Sequence, residues 1–210
     1  MNNVSAVGLP GGLSGGLSTG QDDPEPDSPG AGARADLAGF ETDIQCDDTR
    51  WHPYLDMVEM RLGALAHMLA LPAHGEVSVK LTDDTQIEAL NTRFRGKAAA
   101  TNVLSFPAQD FAAPMAPNAL PETPFSLGDI VLAFDTLARE AESADKDFAD
   151  HLAHLLVHGL LHLLGYDHQS DAAAMQMETK ETALLAKLGV GDPYAAAHAD
   201  ADKADRKGAQ

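Results

Sequence analysis

The sequence predicts an α+β fold, a small mixed sheet of about four strands packed against helices. Three observations predict it. Four short runs, at residues 41–46, 76–81, 102–106 and 128–133, have strand character. Apolar residues at helical spacing fill the segments 51–71 and 82–94 between them. Three helices fill most of residues 134 to 188, so helices gather in the C-terminal half instead of alternating regularly with strands.

Each element follows from local chemistry. Residues 41–46 (ETDIQC) suit an edge strand. Residues 51–71 carry Leu55, Val58, Leu62, Leu65 and Leu69 on one helical stripe, and Pro72 and Gly75 stop it. Residues 76–81 (EVSVKL) alternate like a half-buried strand. Thr82 or Asp83 caps a short helix to about Phe94 that carries Ile87 and Leu90. Residues 102–106 (NVLSF) read as a strand closed by Pro107. Residues 108–126 hold four prolines and read as a loop, long enough to be functional. A strand at 128–133 precedes helices at about 134–142, 147–164 and 171–188.

The ends differ in composition. Residues 1–39 are rich in Gly, Ser, Pro and Asp, and residues 190–210 are Ala, Asp and Lys without apolar periodicity. Such segments bury too little surface to order themselves, so the sequence predicts a disordered N-terminal tail, one domain over 40–189 and a mobile acidic C-terminal tail. Cys46 is the single cysteine, so no internal disulfide forms, which suits a reducing compartment. No apolar run approaches the roughly 18 residues of a membrane span. The first twenty residues lack Lys and Arg, and no signal peptide is read there. The expectation is a cytoplasmic protein without membrane partners. A net charge of -18 repels nucleic acid at long range.

The informative stretch runs from His151 to His168. His158 and His162 are four apart, so they project from one helical face, about one turn from each other. Gly165 sits where the helix should end, because glycine takes the left-handed conformation without steric cost. The chain can then double back and bring His168 to the same point. Three neutral imidazoles leave a fourth tetrahedral position open, the pattern of a catalytic zinc. The expected cofactor is therefore one Zn2+, on a helix of the C-terminal half; nickel, copper and cobalt also accept nitrogen ligands. His151 and His154 are read either as structural residues or as neighbours behind the ligands, and Asp167 either orients a ligand imidazole or caps the next helix. The zinc-peptidase pattern H-E-x-x-H needs a glutamate after the first histidine, and here that residue is Gly159.

The run from His158 to His168, HGLLHLLGYDH, resembles the signature H-G-x-L-H-L-x-G-Y-D-H of the bacterial YbeY family of rRNA-maturation endoribonucleases. LNTRFRGK at 90–97, TNVLSFP at 101–107, LGDI at 127–130 and the closing helix from Met177 to Gly189 are similar to further segments of that family, in the same order. The resemblance spans about residues 40–189. It implies an α+β fold, zinc on His158, His162 and His168, and cleavage of single-stranded RNA. It also implies a role in 16S rRNA 3′-end maturation and ribosome quality control. Arg95 is the catalytic cation that the resemblance implies; its guanidinium suits developing negative charge on phosphate. Arg93 and Lys97 join it in the densest basic cluster of the chain and are candidate substrate contacts. Thr101, Asn102 and Ser105 either hydrogen-bond RNA or support the strand end. Phe94 and Phe106 are read as core. The attacking oxygen is water or the RNA 2′-hydroxyl. The acidic balance suggests delivery of RNA by the ribosome or a ribosome-associated protein. The alternatives are a non-catalytic, zinc-stabilised ribosome assembly factor and a zinc hydrolase of another bond type.

Overall fold

The computed structural model describes residues 39–109 and 124–195. Residues 1–38 of the expected N-terminal tail, residues 196–210 of the expected C-terminal tail and most of the Pro-rich segment lie outside the described residues. Four strands, β1 (Glu41–Cys46), β2 (Gly75–Thr82), β3 (Val103–Pro107) and β4 (Phe125–Ala133), form one sheet in the order β1-β2-β4-β3. β1 and β4 pair parallel with β2, and β3 pairs antiparallel with β4, so the sheet is mixed as expected. β1 is an edge strand, and β3 forms the other edge.

Five helices complete the domain: α1 (Leu55–Met68), α2 (Asp84–Arg95), α3 (Phe134–Ser143), α4 (Phe148–Leu163) and α5 (Asp171–Lys187). The segment expected to be helical from Trp51 begins instead as a 3-10 helix, Thr49–Tyr54, around Pro53. Proline has no N–H to enter an α-helical ladder, so regular α-helix starts only beyond it. Trp51 is fully buried there and donates its indole N–H to Thr82 O at 2.9 Å. At the other end Ala70 adopts φ 51°, and the turn closes three residues before Leu71. Asp83 caps α2 by accepting the Gln86 N–H at 2.8 Å.

β4 is longer than the pattern predicts, because Phe125 and Ser126 belong to it and not to the loop. A register shift opposite Glu76 and Ser78 interrupts the alternation, and a bulge hides a strand from a period-two reading. Gly128 sits in that irregularity at φ +124°, where a Cβ would meet Phe106 O at 2.1 Å.

The sheet separates two cores. Val77, Val79, Leu81, Ile130 and Leu132 face α1 and α4, and Val131 and Ala133 meet Ile87 of α2 on the opposite side. α4 touches β3 and β4 as well as α1, α3 and α5, so almost its whole circumference is apolar. Each fully buried leucine on it, such as Leu152 or Leu156, contributes roughly 1.5–3 kcal/mol of burial. This central helix carries the histidines. Past residue 189, Val190 is buried and Tyr194 reaches α5.

Candidate metal centre and cleft

Asp147 caps α4 by accepting the N–H groups of Ala149 and Asp150. Helical geometry then places His158 and His162 one turn apart, with ring centroids separated by 4.5 Å. Gly165, at φ 85°, ends the helix: its N–H donates to His162 O and the Tyr166 N–H to Leu161 O, both at 3.0 Å. These two bonds form the glycine-stopped helix end expected from sequence. The chain returns, and the His168 ring comes to 5.7 Å from His158 and 5.1 Å from His162. One ligand nitrogen from each of the three lies within 4.8 Å of the others.

Partners fix the tautomers. His162 Nδ1 lies 2.9 Å from the Tyr166 carbonyl, which only accepts, so Nδ1 carries the proton. His158 Nδ1 lies 2.8 Å from Glu181 Oε1, and the same argument holds there. Burial first, then the neighbouring His158, push His162 down from 6.5 to about 4, so its ring is neutral at pH 7. His162 Nε2 therefore presents a lone pair, and His158 Nε2 faces it at 3.0 Å. A shared proton or a shared cation accounts for two ring nitrogens this close. Tetrahedral zinc with ~2.05 Å bonds would set its nitrogens about 3.3 Å apart, close to this spacing. With His168 as the third donor, the set can hold one metal ion with a position open.

Glu181 is the functional residue that the sequence reading missed. It lies on α5, is fully buried, and accepts from His158 Nδ1 through Oε1. Its Oε2 accepts from the Tyr194 hydroxyl and lies 3.3 Å from His154 Nε2. Burial alone would raise its pKa; hydrogen bonds from His154, His158 and Tyr194 outweigh this and hold it at about 2. A signal existed: Glu181 falls in the apolar stripe of Met177, Leu184 and Leu185, where a carboxylate needs a reason. His154 thus touches the carboxylate that holds a ligand, as its neighbour role requires. Asp167 does not hold an imidazole here; it is exposed and accepts the Gln169 N–H at 3.0 Å, while Ser170 caps α5.

The centre opens into a cleft of about 750 Å³. Its walls include His158, His162 and His168 on one side of the sequence and Arg95, Lys97, Thr101, Asn102 and Ser105 on the other. Arg95 leaves the last turn of α2, which Gly96 ends at φ 69°, and donates from Nη2 to Ser105 O at 3.1 Å. Ser105 is buried, and its Oγ has no hydrogen-bond partner among the described residues. Asn102 is engaged at both ends of its amide, accepting the Val103 N–H and donating to Glu140 Oε2, so it braces the start of β3. Arg93 is not among the cleft walls; its guanidinium lies 5.0 Å from the Phe94 ring. Phe94, expected in the core, is 54% exposed and meets Phe106 edge-on at 5.2 Å, because the final turn of α2 overhangs the edge strand β3. At Gly159 a Cβ would stand 3.1 Å from Ile130 Cγ2 and 3.3 Å from Ser105 Oγ. Position 159 therefore faces the sheet and lets α4 approach it closely; a glutamate there would be packed against β3 and β4.

Fold and site together define an α+β protein built around three histidines that could hold a metal ion, at a cleft with a cationic wall. The sequence profile described as "Endoribonuclease YbeY" matches residues 42–189, and the chain belongs to that family. Among its relatives, the Endoribonuclease YbeY of Ruegeria pomeroyi is 48% identical over 159 residues, covering 72% of this chain and 96% of its own length. Those of a Jannaschia species and of Paracoccus denitrificans are 46% and 49% identical, covering 74% and 72% of this chain and 100% and 88% of theirs. Among the described residues, no helix is long and apolar enough to cross a membrane.

Proposed function

We propose that the chain is a zinc-dependent endoribonuclease that cuts single-stranded RNA in the cytoplasm, acting in 16S rRNA 3′-end maturation and ribosome quality control. The observation that carries the metal reading is the convergence of His158, His162 and His168, whose ligand nitrogens lie within 4.8 Å of one another. An all-nitrogen ligand set with a fourth position open favours zinc. When bound, zinc supplies Lewis acidity toward a phosphoryl oxygen. The activity named for the relatives supplies the substrate class.

The chain's own groups divide the remaining work. Arg95, anchored on the Ser105 carbonyl, stabilises negative charge that develops on the phosphate. Lys97 draws the backbone into the cleft. Ser105 Oγ, buried and unpartnered, is a hydrogen-bonding group held for substrate. Thr101 lines the same wall, and Asn102 keeps the strand under it in place. Phe94, exposed beside Arg93, offers an aromatic surface next to the basic run, the combination that single-strand binders use. With a net charge of -18, affinity for bare RNA should be weak, so the ribosome or a ribosome-associated protein delivers the substrate.

The test is zinc content and cleavage of single-stranded RNA by wild type, His162→Ala and Arg95→Ala. His162→Ala should lose both zinc and cleavage, and Arg95→Ala cleavage alone. Cleavage that persists in both variants would overturn the enzymatic reading. The product ends bear on the nucleophile: a 2′,3′-cyclic phosphate marks attack by the 2′-hydroxyl and rules out direct attack by water.

A further inference from the structure

The carboxylate behind the metal ligands is closed off by a segment that lies past the family's matched residues. α5 ends in a glycine stop: Gly189 has φ +77°, its N–H donates to Ala186 O at 3.1 Å, and the Val190 N–H donates to Leu185 O at 2.9 Å. The following residues lie across α4 and α5 as a strap. Val190 is buried, Asp192 accepts from the Thr182 hydroxyl at 3.3 Å, and Tyr194 meets the His154 ring edge-on at 5.8 Å. The Tyr194 hydroxyl donates to Glu181 Oε2.

We propose that Tyr194 is a positioning residue for the metal centre: its hydroxyl fixes Glu181, Glu181 fixes His158, and the C-terminal strap thereby sets how tightly the ion is held. This rests on the three-histidine metal site argued above. The hydrogen bonds of Glu181 divide unequally. Oε1 serves His158 Nδ1 at 2.8 Å, and Oε2 is shared by Tyr194 and a longer contact of 3.3 Å to His154. Torsion about a carboxylate's last bond is soft. Without the Tyr194 hydroxyl, Oε2 would keep only the long His154 contact among the described residues, so the carboxylate would be held less firmly, and rotation takes Oε1 away from Nδ1. His158 would then lose the partner that fixes its tautomer and aims Nε2. Loss of such an outer partner lowers metal affinity about 10–100-fold. Tyr194 acts one bond farther out, so a smaller factor of about 3–10 follows.

The experiment measures zinc dissociation constants by chelator competition on the full chain. The proteins are wild type, Tyr194→Phe, Glu181→Gln, the double variant and His162→Ala, with metal-free melting curves alongside. Tyr194→Phe removes only the hydroxyl and keeps the ring against His154. It should weaken zinc binding about 3–10-fold with a melting curve close to wild type, and it should add nothing in the Glu181→Gln background. Wild-type affinity in Tyr194→Phe overturns the proposal, as does an undiminished effect in that background. If Glu181→Gln fails to fold, the Tyr194→Phe affinity alone decides. If His162→Ala binds zinc as tightly as wild type, the metal site itself is wrong and both readings fall. If His162→Ala loses zinc while Tyr194→Phe retains it fully, only the strap's role falls.

Discussion

Acidifying the metal-free protein should destabilise it in two successive steps, the first governed by His162. Burial, then the nearby His158, lower this ring from 6.5 to about 4. Between those values the unfolded chain binds a proton that the folded chain refuses. The contribution of His162 is therefore fully present above pH ~6.5, declines as pH falls through the window, and is gone below ~4. The fall corresponds to about 3 kcal/mol at ~1.4 kcal/mol per pKa unit, and water in the open cleft trims it to roughly 2. For a domain of this size that is a drop of about 4–8 °C in Tm. A second step belongs to Glu181, whose carboxyl is held at about 2 instead of 4.5. Its contribution is present above pH ~4.5 and is lost as pH falls toward ~2. Urea unfolding of chelator-treated wild type and His162→Gln at pH 7, 5.5 and 4.5 isolates the first step. His162→Gln should be the flatter of the two between pH 7 and 4.5. Identical slopes for the two proteins would refute the reasoning, because no buried neutral imidazole would then be needed. Saturating zinc, at about 100 times its Kd, should add about 2.7 kcal/mol at pH 7 and lose that increment through the same window, since protons compete for the ligand nitrogens.

Four further outcomes are expected. His168→Ala, at an exposed turn, should abolish stoichiometric metal by elemental analysis while moving metal-free stability by no more than about 0.5 kcal/mol. Arg95→Ala should lower the cleavage rate about 10²–10³-fold with metal content unchanged, as read by single-turnover assays. Gly128→Ala sets a Cβ 2.1 Å from Phe106 O at φ +124°, so it should destabilise by about 2–4 kcal/mol in chemical denaturation through disruption of the β3–β4 pairing. Phe94→Ala should weaken binding of single-stranded RNA by about 1–3 kcal/mol, measured by titration, without altering stability comparably.

What the sequence determined by itself was whatever depends on near neighbours along the chain. Spacing of four put His158 and His162 on one face, Gly165 supplied the reversal, and Asp83 and Asp147 capped their helices. The four strands and five helices follow from the same local rules, as does the return of His168. Reading failed where locality failed. Pro53 turned one helix start into a 3-10 turn, the bulge at Gly128 concealed the beginning of β4, and Phe94 proved exposed because no element among the described residues covers the end of α2. Tertiary structure alone decided which of 32 acidic residues stands behind the ligands. Glu181 is 23 residues from His158, and α5 brings them to 2.8 Å. It also decided which ring nitrogens carry protons, why position 159 has no room for a side chain, and that Tyr194 closes the back of the site. Dihedral preferences and helical periodicity act over a few residues, whereas a buried carboxylate's partners depend on how separate helices pack, and packing is written in no single segment.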